Sequence, residues 1–231
     1  MQGPSHLVIS WFIAEASPCR TARERRIVAW SGLAPDIDVV AYLAALVWYG
    51  FDKDRAFENV WRVVHHRYTH GILFVVLTGV VVWGLCRAQG PADRLRIVLL
   101  AMLAGALHNF FDVVAGGPTW PIYPLWPVSD ATWHAAWSWT IGEWPNIVIL
   151  AVCLAGTLAY AGAVGRSPME CFGSRTDNWL VRVLREGSDR PAGEEAPASA
   201  RRRQRLRAAI WIALVLAAVG ILAPLGFNPF A

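Results

Sequence analysis

The sequence predicts an all-α, multi-span membrane helical bundle with short N-terminal helices and a Trp-rich extracytoplasmic loop. Three observations carry this reading. The 231 residues are 55% hydrophobic and only 16% charged, too little polar surface for an ordinary soluble bundle. Uncharged apolar runs recur at close to the roughly 17 to 25 residues that cross a bilayer. The arginines are confined to the stretches between or beside those runs, as membrane topology requires.

Taken in order, 7–14 and 39–51 are apolar but short, and suit half-helices, interfacial helices or tilted pieces packed against the others. The run 71–86 is slightly short for a span but extends through its flanks, and 97–111 follows it with His108 and Asn109 near its far end. Six tryptophans then fall between Trp120 and Trp144, beside Tyr123 and several prolines. They make an aromatic belt at the membrane surface or a lid over a site. The runs 147–165 and 208–225 are full-length spans.

Arginines cluster at 20–26, 87–96 and 166–207, whereas 113–146 contains neither Lys nor Arg. The positive-inside rule then puts the clusters in the cytoplasm and the Trp-rich loop outside. Composition divides the chain into a membrane core over 1–165, an Arg-rich cytoplasmic loop or linker over 166–206, and a C-terminal transmembrane helix over 207–231. Within the linker only 178–185 has helical patterning. The formal net charge of +4 comes mostly from these arginines, and no basic recognition pattern accompanies it, which argues against direct nucleic-acid binding. Cys19, Cys86, Cys153 and Cys171 lack metal-knuckle spacing and read as packing residues.

Polar residues at helix ends carry the chemistry. His66 and His70 are four apart at the mouth of one apolar helix, a spacing that stacks two rings on one helical face. His108 and Asp112 repeat it at the end of the next. A short connection makes the two helices antiparallel neighbours, so the pairs meet at one level and close on a metal ion together with Asp38. Asp36 and Asp38 follow Pro35 and precede an apolar stretch, where either also serves as a helix cap. His65 points elsewhere on a helix and reads as a supporting or surface group, and His134 as interfacial. Arg67, between the histidines, either binds a substrate phosphate or carboxylate or snorkels to the headgroups. Glu143 is a further general-base candidate with uninformative spacing.

At these residues the chain resembles the YdjM-like family of inner-membrane-associated, LexA-binding metal-dependent hydrolases. The resemblance rests on His6, on Gly-Leu-Ala-Pro-Asp-Ile-Asp at 32–38, on His-Arg-Tyr-Thr-His at 66–70, and on Leu107-His108 with Phe111-Asp112. Gly116-Gly117 leading to Pro-Leu-Trp-Pro at 124–127 extends it to about the first 130 residues. It implies metal ligands at His6, Asp36, Asp38, His66, His70, His108 and Asp112. Gly71 departs from the family's serine, and the apolar stretch 39–51 lengthens the connection to the histidines.

The ligand set suits a divalent metal, zinc first and manganese or iron next, as one or two ions. Bound water activated by such an ion would hydrolyse an ester or phosphoester, with Asp36 or Asp112 taking a proton and Arg67 holding substrate. The expected location is the bacterial inner membrane, with the site toward the extracytoplasmic face at headgroup level. There a lipid or lipid-linked substrate is the expected partner. Two alternatives stand beside it: a non-enzymatic protein with a structural metal or an ion or proton path, and a membrane anchor whose cytoplasmic loop recruits a LexA-like regulatory protein.

Overall fold

A computed structural model of the chain describes residues 1–185 and 198–225, with side chains described over 1–185 and 204–217. Its regular secondary structure is helical. Among the described residues there is no strand, only an isolated antiparallel bridge between Ile122 and Trp133.

Helix α1 (Gly3–Ala16) is apolar on every side and sits at the centre, with Ser5 through Glu15 buried. Trp11, Phe12 and Tyr160 meet edge to face around it at 5.3–5.5 Å. Helix α2 (Ala22–Leu33) is capped by Thr21, whose hydroxyl accepts from the Glu24 amide. It passes through a 3₁₀ turn (Ala34–Asp38) into α3 (Val39–Trp48). Pro35 opens that turn where its missing N–H costs nothing, so the chain stays helical across it. The short piece expected at 39–51 is therefore joined to α2 in one helical stretch over Ala22–Trp48, long and apolar enough to cross a membrane.

Short helices α4 (Lys53–Ala56) and α5 (Arg62–Val64) flank a π-helical turn (Phe57–Trp61). Helix α6 (Ile72–Leu85) rests on α7 (Pro91–Ala115) through Val75, Gly79 and Val82, and exposes Leu77, Val80 and Val81. A Cβ on Gly79 would lie 2.8 Å from the Met102 sulfur, so the two helices touch backbone to side chain there. Helix α8 (Trp144–Val164) packs beside α1, and with α7 it completes the three helices of spanning length and hydropathy among the described residues. Helix α10 (Ala198–Leu225) covers the expected last span and packs on α1 and α8. The side chains of 218–225 lie outside the described residues.

The polar stretch after α8 begins as packed structure. A 3₁₀ turn (Pro168–Phe172) and α9 (Ser174–Leu184) bury Ser167, Glu170, Cys171, Asp177 and Val181. Glu170 accepts two hydrogen bonds from Arg25, at 2.6 and 2.9 Å, and one from the Trp11 indole at 2.7 Å. Glu15 accepts from Arg166 and, at 2.8 Å, from the Tyr160 hydroxyl. Two carboxylates and two guanidiniums thus satisfy one another inside the bundle and hold the turn against α1 and α2. The four cysteines are free and buried, as packing residues would be. Burial pushes the Cys19 thiol up to about 11 and the Cys171 thiol up to about 12.

Candidate metal centre

The end of α7 supplies the first pair of ligands. His108 and Asp112 stand one turn apart on its buried face, with His108 Nε2 at 3.0 Å from Asp112 Oδ2. The His108 Nδ1–H donates to the Gly32 carbonyl at 2.8 Å, which fixes its tautomer and leaves Nε2 as a lone pair. The 3₁₀ turn after α2 brings Asp36 alongside, its Oδ1 at 3.5 Å from His108 Nε2 and 3.7 Å from His70 Nε2.

The histidine segment reaches the same place by a route the sequence spacing does not describe. Residues 65–71 are not helical, and α6 begins only at Ile72. His66 takes a left-handed φ of 68°, and the segment is sewn to the Trp-rich loop: the Tyr123 amide donates to the His66 carbonyl, and the Ile72 amide to the Pro124 carbonyl. The expected helical stacking of His66 on His70 is therefore wrong in its cause, although their rings do converge, with centroids 4.7 Å apart. A side chain at Gly71 would press on the Tyr123 and Pro124 carbonyls at 3.3 Å, a tight fit for the serine that the resemblance would place there.

Each histidine is oriented by its Nδ1–H. His66 donates to the Trp120 carbonyl at 2.8 Å, and His65 to Asp38 Oδ1 at 2.8 Å. His70 donates to the Thr69 hydroxyl at 3.1 Å, which in turn donates to Asp38 Oδ2 at 2.7 Å. The Nε2 lone pairs of His66, His70 and His108 are left facing the cluster. Those of His70 and His108 are 3.1 Å apart, and Asp112 Oδ2 lies 3.4 Å from the first and 3.9 Å from His66 Nε2. Burial holds the His66 imidazole well below its ordinary range and lowers that of His65, which keeps both rings neutral and able to ligate.

Two overlapping groups meet the requirement for a metal: His65, His66 and His70, and Asp36, His70, His108 and Asp112, the ligand atoms within each group lying within 4.8 Å of one another. Lone pairs facing one another in a buried site repel unless a cation lies between them. These residues therefore fit a divalent ion, and each imidazole carries the outer-shell partner that metal-bound histidines require.

The remaining predicted residues fall around this cluster. His6 stacks on His108 at 3.7 Å and donates to Asp112 Oδ1 at 3.3 Å, and the Met1 amino group also donates to that oxygen. Asp38 stands behind the histidines, orienting His65 and, through Thr69, His70; it makes no cap bond to α3. His65, expected as a peripheral group, is buried inside the cluster. Arg67 turns away: its guanidinium donates to the exposed Asp130 at 2.8 Å and lies 5.0 Å over the Tyr123 ring. His134 is exposed, and Glu143 accepts from the Thr140 amide and hydroxyl in a local turn.

A family model described as the YdjM inner membrane protein matches residues 1–225. The chain belongs to the YdjM family. No curated protein and no solved structure matches the chain. Family membership and the apolar helices together make this a membrane protein, with a buried His/Asp cluster able to hold a metal ion.

Proposed function

We propose that this YdjM-family protein is a membrane-embedded metal-dependent hydrolase that cleaves an ester or phosphoester of a lipid or lipid-linked substrate. The observation that carries the reading is the convergence of three imidazole Nε2 atoms with Asp36 Oδ1 and Asp112 Oδ2 in one cluster. His66, His70, His108, Asp36 and Asp112 would hold a divalent ion, which would supply Lewis acidity and lower the pKa of bound water towards roughly 7. Zinc suits this set best, with manganese or iron next.

The protein's own groups divide the remaining work. Asp112 is buried and its Oδ1 accepts from His6 and the Met1 amino group, so it orients rather than exchanges protons. Asp36 is the open carboxylate, with 21% of its side chain exposed toward a cavity, and is the group placed to take a proton from an incoming nucleophile. The Trp-rich loop keeps bulk water off His66 through Trp120. The full burial of His70 and His108 favours a second reading, a structural metal that locks the bundle.

One assay separates the two. Metal-loaded protein in phosphatidylglycerol vesicles doped with lipid phosphates should release fatty acid or phosphate, and both chelation and His108→Ala should stop the release. A metal-loaded protein that turns over neither ester nor phosphoester lipids contradicts the hydrolase and leaves the structural metal.

A further inference from the structure

Asp36 and His65 form one end of a cavity of about 760 Å³ that runs between α1, α2 and α8. Apart from these two and Thr157, whose hydroxyl is spent on the Cys153 carbonyl, its lining is apolar. The far end is lined by Trp30, Leu154, Met169 and Phe172. Trp30 meets Phe172 edge to face at 5.8 Å and donates its indole N–H to the Cys171 carbonyl, so the floor presents no free donor. The volume and the mostly apolar lining with two polar groups at one end are those of a small-molecule site.

The geometry points to a groove for the hydrocarbon chain of a membrane lipid whose ester or phosphoester head lies at Asp36 and His65. This rests on the hydrolase reading for what happens to the head, but not for where the chain lies. Leu154 is ten residues into α8 from Trp144, a rise of about 15 Å, and Trp30 is six residues from Asp36. From Asp36 the groove therefore descends about 9 Å along α2, within one leaflet of a hydrocarbon core about 30 Å thick. Its flanks are open: Trp30, Leu154 and Phe172 are 43%, 53% and 59% exposed. Two of its walls belong to spanning helices, so that side faces acyl chains rather than water. The substrate enters sideways from the bilayer, and the Trp30–Phe172 floor limits the chain length it accepts.

The test is photolabelling in phosphatidylglycerol nanodiscs with an alkyl phosphate carrying a diazirine on its terminal carbon. Label should concentrate on Trp30, Leu154, Met169 and Phe172, should be displaced by unlabelled alkyl phosphate, and should not be displaced by inorganic phosphate. Leu154→Trp, at a half-exposed position that tolerates bulk, should cut labelling about tenfold, as should Phe172→Trp, with metal content unchanged. Label spread equally over Leu77 and Val80 of α6, or unaffected by both variants, overturns the groove as a site and leaves ordinary annular lipid. Turnover keeps the two claims apart. Loss of long-chain ester cleavage with short-chain cleavage intact in Leu154→Trp supports the groove, and equal cleavage of both overturns it while the hydrolase stands. If wild type cleaves neither, the hydrolase fails and labelling alone decides the groove.

Discussion

His66 holds a left-handed backbone, φ 68°, that residues other than glycine adopt uncommonly. Its surroundings hold it there: its carbonyl is tied to Tyr123, its Nδ1–H to Trp120, and its ring lies against Gly116. A Cβ at Gly116 would lie 3.1 Å from His66 Cε1 and 2.6 Å from the Asp112 carbonyl. Gly116→Ala should therefore push the imidazole aside and weaken metal binding about 10- to 100-fold in a competition titration, the size seen for outer-shell changes. Asp38→Ala should weaken it similarly, because it frees both His65 and the Thr69 link to His70. Arg67→Ala should leave metal affinity unchanged and stability within about 0.5 kcal/mol, since its partner Asp130 is exposed. A large loss of metal in Arg67→Ala would contradict this placement.

At the scale of elements, the apolar runs of α7 and α8 were legible because each is long, uncharged and bounded by Gly or Pro. The N-terminal helices were not. Pro35 and two aspartates interrupt the apolar count between α2 and α3, yet the backbone merely tightens to 3₁₀ and continues. The same limit applies at the site. His108 and Asp112 sit on a true helix, so their spacing carried the geometry. The 66/70 spacing carried it only by coincidence, because the loop, and not a helix, turns those rings inward. A helical angle, which the segment does not have, hides His65 from a reading by spacing. Nothing in the polar composition of 166–185 showed that Glu170 would be drawn inside by Arg25 and Trp11. Arg25→Ala strands Glu170 in the core, and should destabilise the protein by about 3–5 kcal/mol in denaturant titrations in detergent. No change in midpoint would make the network dispensable.

Across the whole molecule, the cluster draws on α1, the 3₁₀ turn after α2, the 65–70 segment and α7. A metal there cross-links parts of the chain that are otherwise joined by side-chain packing. Binding to the folded state at 100 times its dissociation constant adds about 2.7 kcal/mol, and for a chain of this size that corresponds to roughly 5 to 10 °C in Tm. Chelation should produce that drop and re-addition of the metal should reverse it; a Tm indifferent to both would mean that the cluster holds no ion.

The most direct test is metal analysis of purified protein, comparing wild type with His70→Ala, Asp112→Ala and the exposed-histidine control His134→Ala. Stoichiometric metal in wild type and His134→Ala, lost in the other two, is the predicted result. Equal metal in all four proteins, or none in wild type, would contradict a metal centre at these residues.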